Sequence, residues 1–81
     1  MLLLKKKEIT SNKISYYYQP EFKGDFGVVS FLTDRNKFEV DKLAENDDEY
    51  SSPFLRHALE HLIKFAETKD YPDEKKVYWG L

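Results

Sequence analysis

The chain reads as a small α+β domain: an antiparallel sheet and one helix in the order β-β-β-β-α-β, with the helix (about 52–69) packed on one face. Three observations predict this. The first half consists of short apolar and aromatic runs broken by turn residues. One stretch in the second half is amphipathic with helical period. The length, 81 residues, allows a single domain over 1–81.

Leu2 to Ile9 is a strand, and Thr10-Ser11-Asn12-Lys13 supplies the turn chemistry that follows it. Ile14 to Gln19 is the second strand, because Tyr16, Tyr17 and Tyr18 are strong strand formers. Pro20 lacks the N–H that a ladder needs and ends it. Gly24-Asp25-Phe26-Gly27 turns the chain into a third strand, Gly27 to Thr33. Asp34-Arg35-Asn36-Lys37 is a tight turn into Phe38-Glu39-Val40, so two successive hairpins are expected. Both a meander and a Greek-key return fit this length.

Ser52 is placed to cap a helix, with Pro53 at its first position, where a missing N–H costs nothing. On a helical wheel Phe54, Leu55, Ala58, Leu59, Leu62, Ile63, Phe65 and Ala66 form one apolar arc. Arg56, His57, Glu60, His61, Lys64, Glu67 and Thr68 occupy the other side. Arg56–Glu60 and Glu60–Lys64 are opposite charges at i,i+4, each worth about 0.2–0.5 kcal/mol. Lys69 suits the negative end, Pro72 stops continuation, and Lys76 to Trp79 is expected as a final strand. A helix on a sheet buries the wide apolar arc.

Composition bounds the function. Six Tyr, six Phe and Trp79 give a small core large rings to bury, which favours a folded domain over disorder. The net charge is -2, and the basic excess of the first half sits mostly in Lys5, Lys6 and Lys7. That is too local for the basic stripe that displaces phosphate counterions, so no nucleic acid is expected as partner. With no cysteine there is no thiol catalysis, disulfide or thiolate metal site. Three leucines preceding the lysines are the wrong order for a secretory signal and too few to span a membrane. A cytoplasmic location is expected.

The sharpest motif is His57-Ala58-Leu59-Glu60-His61. It matches the H-x-x-E-H pattern in which two His one helical turn apart hold zinc and Glu activates water. Glu60, however, lies round the wheel among Arg56 and Lys64. The expected role of His57 and His61 is to border the core, with a metal-binding or metal-dependent hydrolase reading as the alternative. Glu45-Asn46-Asp47-Asp48-Glu49 lacks calcium-loop spacing and is expected as a solvated loop; an acidic decoy or inhibitor domain would use it. No serine sits in a nucleophile elbow, and Gly24, Gly27 and Gly80 form no phosphate loop.

The tyrosines remain. Tyr16 and Tyr18 share one strand face while Tyr17 lies on the other, so a single helix leaves at least one exposed or otherwise covered. Tyr is enriched at interfaces because it joins apolar area to a hydroxyl. Tyr16, Tyr17, Tyr18, Tyr78 and Trp79 are therefore the candidate interaction residues.

Several phrases carry a resemblance: Tyr18-Gln19-Pro20-Glu21, Gly27-Val28-Val29-Ser30, Lys42-Leu43-Ala44-Glu45-Asn46-Asp47, the helix with His57-Ala58-Leu59, and Tyr71-Pro72 through Val77-Tyr78-Trp79. From about residue 14 onward the chain resembles small uncharacterised single-domain proteins of Gram-positive bacteria and their mobile elements. The resemblance implies a cytoplasmic domain with no assigned activity and carries over no catalytic residue. It also implies a glycine after Pro-Glu, where this chain has Phe22. The expectation is a non-enzymatic domain without cofactor or membrane attachment. It acts through contact with a protein partner or with a second copy of itself as a homodimer.

Overall fold

The computed structural model describes residues 1–47 and 52–80. Five strands and one helix follow the predicted order: β1 (Leu2–Ile9), β2 (Lys13–Pro20), β3 (Gly27–Leu32), β4 (Lys37–Lys42), α1 (Pro53–Thr68) and β5 (Glu74–Val77). Every pairing is antiparallel, and the sheet runs β4-β3-β2-β1-β5. The first four strands are thus a meander. The chain then leaves the β4 edge, crosses one face as α1, and returns beside β1 at the far edge.

Register explains which side chains meet the helix. Leu2 and Leu4 lie opposite Pro20 and Tyr18, and Ile14, Tyr16 and Tyr18 lie opposite Phe31, Val29 and Gly27. Alternation from Leu2 would aim Glu8 at the core. A bulge at Lys7 absorbs one residue, so that Ile9 pairs with Ile14 and faces inward instead. On the helix Leu55, Ala58, Leu62 and Phe65 are buried, four members of the predicted arc. Phe54, Leu59, Ile63 and Ala66 pack half-buried around them.

Ser52 caps α1 as predicted: its Oγ accepts from the Leu55 N–H at 3.1 Å. The same hydroxyl donates to Asp47 Oδ2 at 3.0 Å, and Tyr18 donates to that oxygen at 2.9 Å. Tyr18 in turn accepts from the Ala44 N–H at 3.0 Å. The run from Glu45 to Glu49 is therefore not wholly a solvated loop. Asp47 is buried and ties β2 to the helix start, while Asp48 and Glu49 lie outside the described residues. Glu45 also turns inward to the chain, accepting from the Asp25 N–H at 2.9 Å.

The final strand ends two residues earlier than Lys76 to Trp79. Val77 pairs with Leu2, the first residue of β1, and the Met1 carbonyl already accepts from the Glu21 N–H. No ladder remains for Tyr78 and Trp79, which leave the sheet.

Between β2 and β3 both Glu21 and Phe22 take positive φ, 56° and 61°. The position that the resemblance assigns to glycine is thus a left-handed one here, occupied by an aromatic ring. Phe22 packs edge-on against Tyr78, with ring centroids 5.7 Å apart. Gly27 answers a different constraint. A Cβ there would collide with the Tyr18 ring and stand 2.5 Å from the Ala44 nitrogen and the Lys42 carbonyl.

Two outcomes follow for stability. Gly27→Ala should cost about 1–3 kcal/mol in a denaturant melt, because backbone rather than a flexible side chain blocks the methyl. Tyr18→Phe orphans the Ala44 N–H and removes a donor from Asp47, a loss of about 1–3 kcal/mol. Burial, and to a lesser degree the Asp47 carboxylate, pushes the Tyr18 phenol well above its ordinary value. Burial followed by the charge of Asp73 pushes Tyr16 up to about 12. The folded state therefore holds both protons more tightly than the unfolded chain. This stability is fully present below about pH 10 and is lost as pH rises through the folded values. Melts across that alkaline range should fall less steeply for Tyr18→Phe than for the wild type.

Candidate functional site

The helix covers one face of the sheet and leaves the other to the strands alone. Leu3 and Lys5 of β1, Tyr17 of β2 and Val28 and Leu32 of β3 point to that open face by the alternation of the paired strands. Phe26, just before β3, turns onto the same side. Its ring meets Tyr17 edge-on at 6.2 Å, and Lys5 Nζ lies 5.5 Å from its centroid. Tyr17 is 37% exposed, whereas Leu3, Phe26, Val28 and Leu32 are half-buried.

Beneath these side chains lies a small polar array. Ser15 and Ser30 face each other across β2 and β3, with hydroxyl oxygens 2.8 Å apart. Ser30 donates to Asp41 Oδ2 at 2.5 Å. A bulge in β4 at Asp41 aims that carboxylate at the serine. Both hydroxyls are buried and both are satisfied, so they rigidify the middle of the face rather than present reactive groups.

The five candidate interaction residues separate. Tyr16 and Tyr18 have no exposed surface; they lie under α1, and neither can belong to an interaction surface. The run of tyrosines gave no sign of which parity faces the helix. The buried pair follows the apolar residues Leu4 and Val29 in register. Tyr17 is on the open face, and Tyr78, 62% exposed, leans on Phe22 at the end of the sheet. Trp79 folds back to the start of α1. It stacks on His57 at 3.9 Å with planes 11° apart and meets Phe54 edge-on at 5.8 Å. Phe26, Asp41 and Asp47 are site or support residues that sequence reasoning missed. A lone Phe in a Gly-Asp-Phe-Gly turn and an acid within an acidic run carry no signal of their partners.

His57 and His61 border the core as expected, but differently. His57 presents its ring face to Trp79. His61 turns Nδ1 to the His57 carbonyl at 2.9 Å and sets its edge toward Phe65 at 6.2 Å. Glu60 is exposed on the outer side. Among the described residues no group of three His, Asp or Glu side chains comes together that would hold a metal ion. Among them, too, no helix is long and apolar enough to cross a membrane. No family model matches the chain, and neither a curated protein nor a solved structure is found similar to it.

The Trp79 stack offers a direct optical check. His57→Ala should red-shift and broaden the fluorescence of this single tryptophan, while Glu67→Ala, nearly three turns further along the helix, should leave it unchanged.

Proposed function

We propose that the protein is a non-enzymatic interaction domain that pairs with a second copy of itself through the sheet face opposite α1. The observation that carries this reading is the Tyr17–Phe26 pair at the middle of an uncovered face, flanked by half-buried Leu3, Val28 and Leu32. An antiparallel sheet can leave its second face to water, but this one places an aromatic pair and three aliphatic side chains there.

The dimensions favour a weak, symmetric pair. The four overlapping strands, β1 to β4, at about 4.8 Å spacing and about 20 Å of strand length give a face of about 400 Å². Two such faces bury about 800 Å² in total, the size of a weak, transient contact. Symmetry makes a second copy the simplest occupant, since most oligomers are closed homo-oligomers. A two-fold axis along the strands, between β2 and β3, sets β1 of each protomer over β4 of its partner. Lys5 of one then comes level with the Asp41–Lys42 bulge of the other, and the contact repeats on the opposite side. Phe22 and Tyr78, at the end of the sheet, lie outside this contact.

Light scattering behind a sizing column, with a chelator present, tests the proposal. Molar mass should rise with concentration from 9.7 kDa toward twice that value. Tyr17→Ser should return it to the monomer with an unchanged circular dichroism spectrum. A monomer at every concentration, or association that Tyr17→Ser leaves intact, overturns the reading. Association that collapses steeply with salt would instead favour an acidic surface acting on a basic partner.

A further inference from the structure

At the C-terminal half of α1, on the side away from the open face, the helix and β5 leave a cleft of about 320 Å³. That is the lower end of the range for small-molecule sites, about 300–1,000 Å³. Its apolar wall is Phe65 and Pro72, and its polar groups are His61, Lys64, Thr68 and Lys75 together with one carboxylate, Asp70.

The position of Lys75 is unusual for the strand that carries it. In β5, Val77 pairs with Leu2 and enters the core, and Lys75, paired with Leu4, faces the same side two residues away. Alternation calls for an apolar residue there, yet an ammonium points toward the helix. Among the described residues neither Lys64 nor Lys75 has a carboxylate within ion-pair distance, whereas the nearby Lys6 is held by Asp73 at 2.7 Å. His61 Nδ1 is committed to the His57 carbonyl, which leaves Nε2 for whatever enters. The Thr68 hydroxyl donates to the Lys64 carbonyl, and neutral His61, its Nδ1–H given to the His57 carbonyl, offers Nε2 only as an acceptor, so the available donors are the two ammoniums.

The wall opposite the helix is held from beneath. Tyr16 donates to the Pro72 carbonyl at 2.7 Å, the Lys6 N–H donates to the Asp73 carbonyl at 2.9 Å, and Lys6 Nζ reaches the Tyr71 carbonyl at 3.4 Å. Residues 71–73 are thus fixed to β1 and β2 before any ligand arrives, and a preformed wall lowers the cost of binding.

We propose that this cleft binds a small organic oxyanion, a carboxylate or phosphate carried on an apolar body. The anion sits between Lys64 and Lys75, and the apolar body lies on Phe65 and Pro72. The site is independent of the self-association proposed above, which uses the other face of the sheet.

Titration of the ¹⁵N-labelled full chain with phenyl phosphate and with benzoate tests it, with benzyl alcohol and inorganic phosphate as controls. Saturable amide shifts confined to residues 61–75 are expected with at least one aromatic anion, and the better of the two identifies the acid group. Inorganic phosphate should bind more weakly, and benzyl alcohol should not saturate. Lys64→Gln and Lys75→Gln should each weaken binding about threefold, the size of an exposed charge contact. Lys37→Gln, at the opposite edge of the sheet, should not. Lys64 is exposed on the helix, so its replacement leaves the fold intact. The proposal is overturned by the absence of saturable shifts well above the millimolar range. Equal shifts with benzyl alcohol, or a loss in Lys37→Gln as large as in Lys64→Gln, also overturn it.

Discussion

One carboxylate oxygen joins the two halves of this fold. Asp47 Oδ2 accepts from the Tyr18 hydroxyl in the middle of the sheet and from the Ser52 hydroxyl at the head of the helix. Ser52 then caps α1, and Tyr18 accepts from the backbone at Ala44. Each group is buried, so each hydrogen bond is made where water would otherwise have to be. The consequence is positional. The helix leaves the sheet at a fixed point above β2, and the apolar arc from Leu55 to Phe65 falls across β1, β2 and β3. Gly27 belongs to the same junction, because any side chain there would displace the ring that carries the hydroxyl.

That junction also decides the fate of the consecutive tyrosines. With Tyr18 drawn to the helix side, strand alternation commits Tyr16 to the core and Tyr17 to the opposite face. Tyr16 serves the core twice: its ring packs on Phe65 at 5.3 Å, and its hydroxyl holds the Pro72 carbonyl that shapes the cleft wall. Tyr17 meets Phe26 and Lys5 on the open face. Neighbouring residues of one type therefore have three distinct roles, and the pleat of the strand separates them.

The element order was legible in the sequence because it rests on local signals. Ser52-Pro53 marks the helix start, the apolar arc marks its buried side, and turn residues mark the hairpins. The strand order needed the packing of the whole chain, since nothing local says that β5 lies beside β1. The last strand was misplaced by two residues because Tyr78 and Trp79 have strand-forming side chains. Their partners ran out at Leu2, and the stack on His57 offered Trp79 a better burial. The acidic run misled for a related reason. Composition assigns acids to solvent, but one of these acids finds two hydroxyl donors, and neither lies next to it in sequence. The aromatic surface suffered most, because parity separates Tyr16 and Tyr18 from Tyr17 and only the tertiary fold says which parity is buried.

The distribution of charge within the fold differs from what the net charge suggests. The chain carries a small acidic excess, yet several of its acids face inward or are paired: Asp47 at the helix head, Asp41 on Ser30 and Asp73 on Lys6. Lys6 holds the Asp73 carboxyl below its ordinary value through a hydrogen bond reinforced by its charge. An acid engaged in this way offers little to a neighbouring lysine. The cleft beside residues 71–73 therefore sets two ammoniums, neither in an ion pair among the described residues, against the single lining carboxylate of Asp70, in a protein whose overall charge is negative. Local field at a concave site depends on which charges are free rather than on their sum. Here the same ion pair that fixes the cleft wall also engages Asp73, so that Asp70 is the one carboxylate left in the cleft lining.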